Sequence, residues 1–200
     1  MEQGFSEFPI FILFLHYSYI YIIFKKEETE EFLQMKGKSA QATTEKSQER
    51  LTPPVPFDLT TLQMEVYRLH GIMPARVLQI TQQLYLAGLI SYPRTSSQKL
   101  PESIDYRNIL EKLKNITKLA KFAVKDKPTE GEKTDPAHPA IFPTGEKPAK
   151  LSDEEENVYD LIVRRFISCF SSEAVIENKK IKVKIDGKEF YSSADKEDLY

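Results

Sequence analysis

Residues 84–98 read Leu84-Tyr85-Leu86-Ala87-Gly88-Leu89-Ile90-Ser91-Tyr92-Pro93-Arg94-Thr95-Ser96-Ser97-Gln98, and within them the period of the chain changes. Upstream, Val77, Ile80, Leu84 and Ala87 fall at i, i+3, i+7 and i+10, the spacing of a helix with one apolar face, and Pro74 suits its first turn. Gly88 supplies the stop, and Leu89 to Tyr92 reads as extended. An earlier helix is predicted from a cap at Asp58 or Thr60 through Leu62, Val66 and Leu69 to Gly71, after the brake Pro53-Pro54-Val55-Pro56. Two short helices joined by a tight turn and followed by a strand make a helix-turn-helix unit. Such a unit serves nucleic-acid contact, and serves as often simply to pack two helices.

Proline keeps the residue before it out of the helical region, so Tyr92 is predicted extended and on the same face as Arg94. A neutral phenol is a poor nucleophile. Turning it on a phosphodiester requires help in losing its proton and neutralisation of the phosphate oxygens. A guanidinium does the second job, because its planar fork matches two phosphate oxygens and it keeps its charge. Thr95, Ser96 and Ser97 add hydroxyl donors suited to neighbouring phosphates. A tyrosine beside an arginine is by itself an ordinary structural pair, so the rest of the chain decides between the readings.

Downstream, residues 103–123 are predicted as a basic amphipathic helix, with Ile109, Leu113, Ile116 and Ala120 inward and Lys112, Lys114, Lys118 and Lys121 available to solvent or a phosphate backbone. A loop from Lys125 to Lys150 holds five prolines and delivers His138 without regular structure. The acidic run Asp153-Glu154-Glu155-Glu156 follows Ser152, and Ser-x-x-Glu is a capping box, so these charges open a helix over 153–170 instead of gathering round a metal. Cys169 falls on its apolar side and reads as core. Lys180 to Tyr191 alternates around Asp186-Gly187, a hairpin signal.

The 200 residues are 40% apolar and 29% charged with net charge −2, which excludes collagen, coiled coil and disorder. One cysteine excludes a disulfide scaffold and favours a reducing compartment. The charge is polarised. Residues 53–127 carry eleven basic against six acidic side chains, whereas 128–200 carry eleven against sixteen, so a polyanion is expected to meet the middle of the chain. Residues 8–24 hold no Asp, Glu, Lys or Arg and are followed by Lys25-Lys26, which reads as a membrane anchor of minimal length or as a spurious start. Residues 25–52 read as a polar linker.

Three collinear stretches carry a resemblance: Pro53-Pro54-Val55-Pro56-Phe57-Asp58-Leu59-Thr60-Thr61-Leu62-Gln63, then residues 84–101, then Asp135-Pro136-Ala137-His138-Pro139-Ala140-Ile141-Phe142-Pro143-Thr144-Gly145. Together they resemble the tyrosine-bearing region of type IA DNA topoisomerases, the archaeal kind above all, over roughly residues 53–190. Ser96, Pro139 and Phe142 depart from the pattern of many bacterial members, changes that the archaeal relatives tolerate, and read as lineage rather than decay. The resemblance implies an isomerase. In it Tyr92 attacks one DNA strand and keeps the 5′ phosphate as an ester, Arg94 holds the scissile phosphate, and His138 contacts the phosphate near the break. A phosphotyrosine ester stores the energy of the broken linkage, so resealing needs no ATP, in keeping with the lack of a Walker-type loop.

The expected fold is α+β, mainly α: a helix-turn-helix-like catalytic-tyrosine domain over 53–172, followed at 173–200 by the start of a β-rich gate domain. The family uses Mg²⁺ held by the carboxylates of a Toprim domain. No Asp-x-Asp occurs in this sequence, so no metal ligand is assigned and the chain reads as truncated, impaired on its own, with a Toprim-bearing polypeptide in trans as one source of the missing carboxylates. The expected partner is DNA, single-stranded or negatively supercoiled, and the expected location is the cytoplasm with the nucleoid, or a membrane through residues 8–24. Two alternatives stand beside this reading: a noncatalytic DNA-binding or membrane-tethered module, and a degenerate gene remnant.

Overall fold

The computed structural model describes residues 11–15, 19–23, 33–35 and 37–195. Its contacts divide the chain into one unit over Arg50–Val175 and another made of Met1–Glu49 with Ile176–Tyr200. In the first unit, α1 (Leu59–His70) opens on a capping box in which Asp58 accepts from the Thr61 N–H at 2.7 Å while Thr61 Oγ1 accepts from the Asp58 N–H at 3.1 Å. It closes at Gly71 in the left-handed region, φ 69°. After three residues α2 (Pro74–Leu86) begins with its proline in the first turn. It ends in a Schellman motif, with Gly88 at φ 71° donating to the Tyr85 carbonyl and Leu89 donating to the Leu84 carbonyl. This end aims the chain out of the helix and into the Tyr92 segment.

The helix predicted over 103–123 is two pieces. α3 (Tyr106–Leu113) is capped by Asp105, and a 3₁₀ turn over Lys118–Phe122 is capped by Thr117. Between them Thr117 is extended (φ −141°), as suits a β-branched residue whose hydroxyl serves better as a cap for the next turn than within a helix. α4 (Asp153–Cys169) starts at the Ser152–Glu155 capping box and packs on α1, α2 and the 3₁₀ turn. Phe57, Leu62, Val66, Val77, Ile80, Leu84, Ile90, Leu113, Val158, Ile162, Phe166 and Phe170 form the buried core between them. The segment after Gly88 shows a single bridge, Ile90 to Pro143, in place of a regular strand.

The second unit contains β1 (Phe11–Leu15) paired antiparallel with β2 (Tyr19–Ile23), so the apolar leader is not one spanning helix. Ile, Tyr and Phe favour the pleated backbone, and the uncharged stretch falls short of the ~20 residues a spanning helix needs. Residues 8–10, 16–18 and 24 of that stretch lie outside the described residues, and no helix among the described residues is long and apolar enough to cross a membrane. The linker reading also fails over 40–51, which forms β3 (Ala40–Leu51) in a sheet of order β3-β4-β5 with β4 (Ala174–Ile185) and β5 (Lys188–Asp195). Asp186 (φ 51°) and Gly187 (φ 82°) make the two-residue turn between β4 and β5, and Ile185 pairs with Lys188.

Candidate functional site

Two irregular segments, 88–100 and 131–146, lie side by side and build the site. Ser91 donates its N–H to the Phe142 carbonyl at 2.8 Å, Thr144 donates to Leu89 at 3.0 Å, Ala140 to Lys99 at 2.8 Å, and Gln98 to Lys133 at 2.9 Å. The Ser91 hydroxyl adds a bond to the Ala140 carbonyl and accepts the Phe142 N–H. These rungs satisfy the backbone of a loop too rich in proline to form a strand. They also bring Tyr92 and His138 together across 46 positions of sequence: the rings are 4.4 Å apart between centroids, tilted by 45°. Tyr85, on the last turn of α2, meets Tyr92 edge-on at 5.4 Å. Tyr92 is half-buried, and its hydroxyl has no hydrogen-bond partner among the described residues.

Arg94 is exposed, and its guanidinium has no partner among the described residues. The Thr95 N–H donates to the Pro93 carbonyl at 3.0 Å, so the chain turns at Arg94. Thr95 and Ser97 lie deeper. Both are buried, and their hydroxyls are engaged: Thr95 Oγ1 accepts from the Ser97 N–H at 3.0 Å and donates to the His138 carbonyl at 3.3 Å, while Ser97 Oγ accepts from Lys99. These bonds shape the turn that follows Arg94. Ser96 stays exposed.

Asp135 braces the pair. One carboxylate oxygen accepts from the N–H groups of Ala137 (2.9 Å) and His138 (3.1 Å), and the other lies 3.4 Å from the Ser96 nitrogen and hydroxyl. These donors, the Ala137 amide first, hold its pKa below the usual aspartate value. Asp58, 2% exposed, is the deeper carboxylate. Burial works against its charge, but the amide and hydroxyl of Thr61 and the Lys133 ammonium outweigh that, and its pKa is also lowered.

The lysines expected to meet DNA are paired on the surface or exposed. Lys112 pairs with Glu146 at 2.7 Å, Lys114 with Glu111 at 2.5 Å, and Lys118 is exposed at the start of the 3₁₀ turn. No hydrogen bond or ion pair joins the three to Tyr92, Arg94 or His138 among the described residues. Nor do the described residues hold a group of three or more His, Cys, Asp or Glu side chains that could bind a metal ion. Asp58 and Asp135 are taken up by N–H donors and an ammonium, so they do not fit a hard cation. Sequence reasoning missed Tyr85, the brace at Asp135 and the junction at Asp58. Asp135 had a local signal, since Asp-x-x-His places a side-chain acceptor two and three residues before backbone donors. The other two contacts are tertiary and leave no local mark.

The family model described as DNA topoisomerase matches residues 16–198. The DNA topoisomerase 1 of Methanothermobacter thermautotrophicus is 47% identical over 177 residues, covering 84% of this chain and 24% of that protein. The DNA topoisomerase 1 of Aeropyrum pernix is 50% identical over 139 residues, 66% of this chain and 21% of its own length. The solved structure of full-length topoisomerase I from Thermotoga maritima superposes with a TM-score of 0.58 at 25% identity, over 86% of this chain and 30% of that one. The chain belongs to the type IA DNA topoisomerases. It spans about a quarter of the length of the curated relatives it matches.

Proposed function

We propose that the Arg50–Val175 unit cleaves and reseals single-stranded DNA through Tyr92. The phenolic oxygen attacks the phosphorus of a phosphodiester, the new O–P bond replaces the bond to the 3′ oxygen, and a free 3′ hydroxyl is released. The phenol gives up its proton as the departing oxygen gains one. Resealing is the reverse attack, with no net loss of linkage energy and no need for ATP. Arg94 neutralises the non-bridging phosphate oxygens, which it can do because no carboxylate among the described residues occupies it. His138, whose ring lies tilted against that of Tyr92, contacts the same phosphate, and Ser96 offers a further hydroxyl. Lys112, Lys114 and Lys118 meet the backbone of the strand farther along; exchanging a surface carboxylate for a phosphate costs a lysine little.

The observation that carries this reading is the half-exposed phenol of Tyr92, without a hydrogen-bond partner among the described residues and set against His138, in a segment whose next side chain but one is an unpaired arginine. The helix pair α1–α2 acts in it as a helix-turn-helix frame that sets the Tyr92 segment at the surface. The Mg²⁺ that the family uses does not fit the described side chains, so no step is routed through it; carboxylates on a Toprim-bearing polypeptide in trans are the proposed source of that site. The chain acts where the DNA is, with the nucleoid.

The test is covalent trapping. The protein is incubated with an end-labelled single-stranded oligonucleotide, with and without Mg²⁺ and a Toprim-bearing polypeptide, and then denatured. An adduct that survives denaturation and vanishes in Tyr92→Phe supports the proposal. An adduct that persists in Tyr92→Phe, or oligonucleotide binding with no adduct under any of these conditions, overturns it, and the second outcome assigns a noncatalytic DNA-binding module.

A further inference from the structure

A helix cap is served as well by Asn, Ser or Thr as by Asp, so an ionised carboxylate at 2% exposure needs more reason than the start of α1. Asp58 has one. Its Oδ1 serves the cap, while its Oδ2 accepts from Gln98 Nε2 at 3.1 Å and from Lys133 Nζ at 3.1 Å. Gln98 lies on the segment that carries Tyr92, and Lys133 lies on the loop that carries His138. The same three strands of chain are knotted by backbone bonds: Leu59 donates to the Thr95 carbonyl at 3.0 Å, Gln98 to Lys133 at 2.9 Å, and Gly131 to Gln98 at 3.2 Å. The approach at Gly131 is so close that a Cβ there would sit 2.2 Å from Gln98 Oε1. These bonds hold in one register the two segments that carry the Tyr92 and His138 rings.

We propose that Asp58 is a positioning residue, whose Oδ2 locks the Tyr92–Gln98 segment and the His138 loop into a single register at the start of α1. The proposal rests on Tyr92 being the nucleophile and adds to it a residue that touches no DNA. Asp58→Asn separates the two duties of the side chain. Asparagine keeps an acceptor for the Thr61 amide, but turns a donor toward Gln98 and Lys133. Lys133→Met removes the ammonium and leaves the cap whole.

At saturating oligonucleotide, Asp58→Asn is expected to slow adduct formation by about tenfold or more, as misalignment of reacting groups does, with Kd for the oligonucleotide within about twofold. Lys133→Met is expected to act in the same direction. The double variant is expected to be no slower than Asp58→Asn, since both break one junction. An adduct rate in Asp58→Asn within about twofold of the unsubstituted chain, or a loss confined to affinity, overturns the proposal. If Asp58→Asn does not fold, Lys133→Met carries the same comparison. Should the unsubstituted chain form no adduct, the reading of Tyr92 fails, and amide hydrogen exchange decides Asp58 on its own. Exchange at Gln98, Gly131 and His138 about tenfold faster in Asp58→Asn, with the amides of α1 unchanged, supports the junction, and unchanged exchange at those three overturns it.

Discussion

The resemblance drew attention to Tyr92, Arg94 and His138, and the fold sets the Tyr92 and His138 rings 4.4 Å apart, but the bonds that Thr95 and Ser97 make left no sign in the sequence. Hydroxyls beside a cation read as phosphate donors, whereas in the fold both side chains are buried and Thr95 bonds to the His138 carbonyl. Thr95→Val tests the structural role. It keeps the shape, leaves the Ser97 amide without its acceptor, and is expected to lower stability by about 1–3 kcal/mol in denaturant unfolding. A variant as stable as the unsubstituted chain but weaker in DNA binding would return Thr95 to the phosphate. Cys169 gives a second residue-level expectation. Burial pushes its thiol up to about 12, so at pH 8 a disulfide reagent is expected to leave it untouched in the native protein and to label it on unfolding.

At the scale of elements, the legible parts were those with a local cause. Asp58, Pro74, Gly88 and Ser152 begin or end helices by their own chemistry, and Asp186-Gly187 fixes a two-residue turn. β3 was missed for the opposite reason. All twelve of its residues are exposed, so neither face needs apolar side chains, and the strand exists because β4 offers a backbone edge. The break between α3 and the 3₁₀ turn was missed because an apolar period of 3.6 continues across it, while Thr117 leaves the helical region to cap the 3₁₀ turn. Two substitutions probe the local causes. Ser152→Ala removes the acceptor for the Glu155 amide and is expected to cost about 1 kcal/mol in unfolding free energy. Gly88→Ala meets no neighbouring atom, yet is expected to cost about 1–2 kcal/mol, because φ 71° is strained for any residue with a Cβ. A neutral Gly88→Ala would mean that α2 ends in some other way.

For the molecule as a whole, the buried ionisable groups bound the pH range in which the Arg50–Val175 unit stands. On the acid side Asp58 has a lowered folded pKa, so its contribution is complete above the ordinary aspartate value of 3.8 and is lost as pH falls through the folded pKa. On the alkaline side the sign reverses. Tyr159 donates its hydroxyl to the Glu146 carbonyl at 3.1 Å, and burial raises it from 10.0 to about 12; burial likewise raises Cys169 from 9.0 to about 12. In both, the unfolded chain ionises first, so stability is complete below the unfolded pKa and is lost between about 9 and 12, roughly 2–4 kcal/mol from each group. Denaturant unfolding at a series of pH values is expected to give a plateau from about 5 to 8.5 with a fall on either side. The double variant Tyr159→Phe with Cys169→Ala lowers the plateau, by the lost hydrogen bond and the lost sulfur contacts, and flattens the alkaline fall. An alkaline limb as steep in that variant as in the parent would place the ionisation elsewhere and leave the packing of α4 against the Glu146 loop without part in it.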